Sequence, residues 1–208
     1  MQKAIAEDAI TLVKYKDEGV LPITLEKYKR IMVVNIKPAP GPMDSIMKLM
    51  GFAGGVSAAE KIKDRLVAKG FDAFIYESPI DVMAKKAAAG EKVTVDMYFA
   101  GKNAIADFVA GQDLILTVCD VPNGRPSFGM SKGGGEIPWY VFELPVVVIG
   151  TGAPTMLADM PQARTYINTY DKLDSTLDSL VDKLMAGPES FKGEDPIDSF
   201  CGLFDARL

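Results

Sequence analysis

Short apolar runs rich in β-branched residues alternate along the chain with amphipathic segments. Arg30–Ile36, Ala73–Tyr76, Leu114–Cys119 and Val146–Ile149 are almost continuously apolar, the composition of strands covered on both faces. A fifth run, Thr165–Asn168, is less apolar and is expected at a sheet edge. Helix ends are legible between the runs. Ser57-Ala58-Ala59-Glu60 reads as a capping box opening a helix with Ile62, Leu66 and Val67 inward and Gly70 as its stop. Ser78-Pro79-Ile80-Asp81 opens a second helix that ends at Gly90, and a short one runs from Asn103 to Ala110. Leu173, Leu177, Leu180, Val181 and Leu184 mark the last helix, which stops at Gly187-Pro188. Ile5, Ala9, Leu12 and Val13 lie on one face of an expected opening helix.

Strands alternating with helices predict an α/β fold, a flavodoxin-like three-layer αβα sandwich with a mostly parallel sheet of five or six strands. Right-handed crossovers leave 2-1-3-4-5 as the expected order of the five runs. No repeat or linker divides the chain, so residues 1–208 are expected to form one domain. Residues 189–208 lack periodicity and read as an extended C-terminal arm, with Phe200, Cys201, Leu203 and Phe204 packing on the body or on a partner.

In such a sheet ligands bind beyond the carboxyl ends of the strands, where the strand order reverses. The crevice is therefore expected between the first and third runs, flanked by the loops from Lys37 to Gly55 and from Asp120 to Glu136. Both exceed the usual βα connection of about 2–6 residues. Candidate ligand-binding residues there are Asp120, Asn123, Arg125, Lys132, Gly133, Gly134, Gly135 and Glu136. A lysine before three glycines suits an anion, because glycine backbone approaches a phosphate or carboxylate closely; the same residues fit a turn leading into a helix near Pro138. Asp120 fits either a ligand group or a cap on its own loop. Trp139, Tyr140 and Phe142, and the cluster Met43, Ile46, Met47, Met50 and Phe52, fit either core packing or a contact surface for another domain.

Composition narrows the chemistry. The absence of histidine removes imidazole acid–base work, His-activated nucleophiles and His-ligated metals. A net charge of −5 argues against nucleic acid, which needs a basic face. Two cysteines, Cys119 and Cys201, are too few for a disulfide scaffold or a four-cysteine zinc site and are expected as free thiols. The charged start is unlike a signal peptide and no apolar stretch reaches 18 residues, so a cytoplasmic protein without a membrane span is expected. No cofactor is expected. Pro38, Pro40 and Pro42 after the first run lack the N–H donors a flavin phosphate requires.

Several segments carry a resemblance. Ile5 to Lys14 followed by Gly19-Val20-Leu21-Pro22-Ile23 resembles the start of the C-terminal α/β sandwich of glycoside hydrolase family 3. Gly133 to Val141, Ala158 to Gln162, Thr165 to Tyr170, and Phe191-Lys192-Gly193 through Asp198 to Gly202 resemble its β-N-acetylglucosaminidase branch. The resemblance implies that the chemistry belongs to an N-terminal (β/α)8 barrel, with an Asp nucleophile and an Asp-His pair on a barrel loop. This sequence has no segment of barrel size, and no residue carries over as catalytic. The expected role is a non-catalytic accessory domain that shapes or covers a barrel's substrate site, whether the barrel is in cis or a separate chain. Carbohydrate is the implied ligand class, and a homodimer is expected if the barrel-facing surface is left bare. The alternative is a stand-alone module binding a sugar or an anionic metabolite at the switch in strand order.

Overall fold

The computed structural model describes residues 8–36, 50, 55–77, 79–94, 96–97, 105–120 and 139–196. Six strands form one sheet: β1 (Thr11–Tyr15), β2 (Arg30–Ile36), β3 (Asp72–Ile75), β4 (Leu114–Cys119), β5 (Val146–Gly150) and β6 (Thr165–Asn168), in the order β1-β6-β5-β4-β2-β3. All neighbours are parallel except β1 and β6. The five parallel strands keep the order read from the sequence, and β1 extends that sheet by an antiparallel strand.

The difference is at the start of the chain. Residues 11–15, expected as helix, are strand β1, which pairs Thr11 with Asn168 and Tyr15 with Thr165. β6 is consequently covered at its outer side, and all four of its residues are buried. Thr165–Asn168 is therefore not an edge strand. Among the described residues the edges are β1 and the short β3.

Alternation along the strands feeds two cores. Ile31, Val33, Leu114, Leu116, Val118, Val147, Ile149 and Ile167 face helices α1 (Ala58–Ala68) and α4 (Asp174–Ala186), which contribute Ile62, Leu66, Leu177, Leu180 and Leu184. Met32, Val34, Ile115, Cys119, Val148 and Tyr166 face the other way, under 3₁₀ turns at Trp139–Phe142 and Pro154–Asp159 and the short helix α3 (Ile105–Ala110). A further helix, α2 (Pro79–Ala88), follows β3. The capping box opening α1 forms as read: Glu60 N donates to Ser57 Oγ (3.2 Å) and Ser57 N to Glu60 Oε2 (2.9 Å). Gly70 ends that helix with φ of +96°, where a side chain would be strained. α1 and α4 run parallel, joined by Lys61–Asp174 (3.0 Å), Arg65–Asp178 (2.6 Å) and Lys69–Asp182 (2.8 Å).

Candidate functional site

The carboxyl ends of β2, β4, β5 and β6 form one edge of the sheet. β4 ends at Cys119, and the Asp120 N–H continues the ladder by donating to Ile36 O (3.0 Å). Its carboxylate is held on the edge with a tenth of its side chain exposed, and Oδ1 accepts from Lys172 Nζ at 2.7 Å. Thr151, at the end of β5, donates twice to Cys119 O, from N at 3.1 Å and from Oγ1 at 3.2 Å. Thr169 N donates to Gly150 O (2.9 Å), and Thr169 Oγ1 to Asp171 O (2.7 Å). These bonds draw the loop after β6 back over β5, and Lys172 reaches Asp120 across it.

Tyr170 sits at the bend of that loop with φ of +63°. A left-handed backbone at a bulky residue costs about 1–3 kcal/mol and persists only where surrounding contacts impose it. Here they do: Tyr170 Oη donates to Thr11 Oγ1 at 3.1 Å, tying the bend to the start of β1. Burial pushes the Tyr170 hydroxyl above its usual pKa, and Asp195 adds to the shift, while hydrogen bonds with Thr11 and Asn168 oppose it. Asn35, near the end of β2, has a buried Oδ1 without a hydrogen-bond partner among the described residues. Val56 and Leu173 are exposed at this end of the molecule, Val56 just before α1 and Leu173 just before α4.

Of the candidate residues, Asp120 directly follows β4, with the ends of β2 and β5 on its two sides. Asn123, Arg125, Lys132, Gly133, Gly134, Gly135 and Glu136 lie outside the described residues, as does the loop over residues 37–49. Lys172 and Tyr170 were not among the candidates. The crevice rule drew attention to the loops flanking β2 and β4, and nothing local marks a tyrosine for a left-handed bend. The aromatic cluster divides. Tyr140 is core, stacked on Phe108 (5.6 Å between centroids) with its hydroxyl 3.1 Å from Thr117 Oγ1, whereas Phe142 is exposed just before the amino end of β5. Cys119 is buried without a disulfide.

A nearly buried carboxylate held by a lysine can accept hydrogen bonds from ligand hydroxyls. It does not supply by itself the two carboxyl groups about 5–5.5 Å apart that retaining glycoside hydrolysis requires. Among the described residues no group of three or more Cys, Asp or Glu side chains is placed to hold a metal, and no helix is long and apolar enough to cross a membrane.

No protein-family model matches the chain. A β-N-acetylglucosaminidase/β-glucosidase of Cellulomonas fimi is 30% identical over 209 positions, which take in 99% of this chain and 33% of that protein. Among solved structures, a β-glucoside phosphorylase, BglX, superposes with a TM-score of 0.68 at 26% identity, covering 99% of this chain and 32% of that one. A glycoside hydrolase family 3 β-N-acetylglucosaminidase from Paenibacillus sp. str. FPU-7 shares the fold, with a TM-score of 0.55 at 13% identity over 93% of this chain and 31% of its own. The chain thus spans about a third of the length of these relatives.

Proposed function

We propose that the chain is the accessory C-terminal α/β domain of a glycoside hydrolase family 3 enzyme of the β-N-acetylglucosaminidase kind, a reading supported by its similarity over almost its whole length to a third of a β-N-acetylglucosaminidase/β-glucosidase. On this reading it shapes the substrate site of a catalytic barrel without performing the chemistry. The supporting observation is one of coverage: almost all of this chain aligns with only a third of each relative, so the relatives carry a large region that this chain does not match.

The carboxyl edge is the surface this reading assigns to the barrel. β1 starts there, so the chain arrives at the sheet from that side. Asp120, held by Lys172, would accept hydrogen bonds from hydroxyls of a sugar held between the two domains, and Asn123, Arg125, Lys132, Gly133, Gly134, Gly135 and Glu136 are further proposed ligand contacts. Val56 and Leu173 are the apolar contacts. A bare surface of this kind promotes self-association or poor solubility.

The test is an assay of the purified 208-residue chain on chromogenic N-acetylglucosaminides and glucosides. No turnover is expected. A rate within the usual enzyme range of about 1–1,000 per second, surviving repurification, would overturn the reading and make Asp120 the first residue to mutate.

A further inference from the structure

After a 3₁₀ turn at Pro188–Ser190, residues 191–196 of the C-terminal arm cross the start of β1 in a seat that only glycine fits. A Cβ at Gly193 would lie 2.6 Å from Thr11 Oγ1 and 2.8 Å from both Ala9 O and Ile10 O. Two of these neighbours are backbone atoms, which cannot turn aside. One residue on, Glu194 O lies 3.4 Å from Thr11 Oγ1. The same hydroxyl donates to Ala9 O at 3.0 Å and accepts from Tyr170 Oη at 3.1 Å. Thr11 is almost completely buried. Three segments remote in sequence therefore meet on one side-chain oxygen: the start of β1, the arm, and the loop after β6.

That loop carries Tyr170 in its left-handed conformation and, two residues on, the lysine that holds Asp120. Thr169 fixes the near side of the bend through Gly150 O. On the far side, among the described residues, Asp171 takes bonds only from its neighbours Thr169 and Leu173, and the contacts that reach other elements include Tyr170 to Thr11 and Lys172 to Asp120.

We propose that residues 191–196 of the C-terminal arm are a strap seated on Thr11 through Gly193, and that Tyr170 is the positioning residue through which the seated strap keeps Lys172 on Asp120. With the strap in place, Thr11 is fixed and the tyrosine is held in its unfavourable backbone state. With the strap lifted, that hold loosens and the lysine leaves the carboxylate. The state of the C-terminal segment is thereby transmitted to the sheet edge. The device rests on contacts within this chain alone, so it stands or falls independently of any catalytic partner.

The experiment follows two lysines in the full 208-residue chain. Trypsin cleavage after Lys192 reports whether the strap is seated. Acylation of Lys172 by an amine-reactive ester, quantified by peptide mass spectrometry against Lys69, reports its pairing. Gly193→Ala should unseat the strap, raising cleavage after Lys192 by about tenfold and Lys172 acylation by about threefold or more, the behaviour of a segment whose local opening has become easier. Thr11→Val, which keeps the shape of the side chain but not its hydroxyl, should do the same. Tyr170→Phe should raise Lys172 acylation while cleavage after Lys192 stays near the unmodified rate. Asp120→Asn sets the ceiling for an unpaired Lys172.

Unchanged cleavage in both Gly193→Ala and Thr11→Val would overturn the strap. Faster cleavage with unchanged Lys172 acylation would overturn the coupling. Unchanged acylation in Tyr170→Phe would remove Tyr170 from the relay. Circular dichroism of each variant separates these outcomes from global unfolding, and Thr11→Val decides the matter if Gly193→Ala does not fold.

Discussion

Gly150 closes β5 beneath two side chains of β6, and replacing it with alanine tests the packing at the carboxyl edge atom by atom. A methyl group there would overlap the Tyr166 hydroxyl, stand 2.7 Å from Asn168 Oδ1 and lie 3.1 Å from Met156 Cε. All three neighbouring residues are fully buried, so none can swing out to solvent. Overpacking of this kind costs about 1–3 kcal/mol. The Tyr166 hydroxyl has no hydrogen-bond partner among the described residues, and burial holds its pKa well above the ordinary tyrosine value. Leaving such a group buried costs about 1–3 kcal/mol, so Tyr166→Phe should be neutral or stabilising. In the phenylalanine background the overlapping oxygen is gone and the methyl has only Asn168 and Met156 to displace. The penalty of Gly150→Ala should then fall by about 1 kcal/mol or more, an interaction energy typical of residues in contact. The assay is urea unfolding of the four proteins, followed by circular dichroism. With a slope of about 2–3 kcal/mol per molar, Gly150→Ala should lower the midpoint by roughly 0.5–1 M, and the double variant should recover part of that. Penalties that simply add, within about 0.5 kcal/mol, would refute the proposed overlap.

Two further expectations come from titrating groups. Asp113 Oδ2 accepts from the N–H groups of Lys29 (2.8 Å) and Arg30 (2.9 Å), and these bonds lower its carboxyl below the ordinary value of 3.8. Its contribution is therefore complete above that ordinary value and is lost as pH falls through the lowered folded one. The stability gap between the protein and Asp113→Asn should close as urea titrations move from about pH 6 into that acid window, and a gap independent of pH would contradict the assignment. Cys119 is fully buried, and burial raises its thiol well above the usual range. Ellman's reagent should modify it only at the rate of unfolding; modification within seconds in native buffer would mean the site is open to solvent.

The parallel strands were legible because each is buried on both faces, so nearly every position of β2, β4 and β5 is apolar. β1 was not. Its two best-buried residues, Thr11 and Lys14, are polar, and the ladder shifts register between Leu12 and Lys14, so neither burial nor alternation marks it as strand. Lys14 is buried for a reason remote in sequence: its ammonium donates to Pro161 O at 2.8 Å. Missing β1 also misplaced β6, whose Thr165 and Asn168 are buried only because β1 lies beside them. The same limit applies at the candidate site. Asp120 follows from its place after a core strand, a local fact. Lys172 and Tyr170 depend on how far a loop folds back over β5 and on which residue of β1 waits there, and nothing local records either.

The pairing of the first strand with the last also sets a schedule for synthesis. Thr11 and Tyr170, which bond in the finished molecule, are 159 positions apart. A ribosome adding about 5–20 residues per second leaves β1 without its partner for roughly 8–30 s. Throughout that time its backbone donors and acceptors stand open, the condition in which strands join the wrong neighbours. Thr11, Lys14 and the following Lys16 interrupt the apolar surface that such mispairing would need. The polarity that disguised β1 in the sequence thus has a use before the fold exists: it lets the strand wait in water until β6 is made.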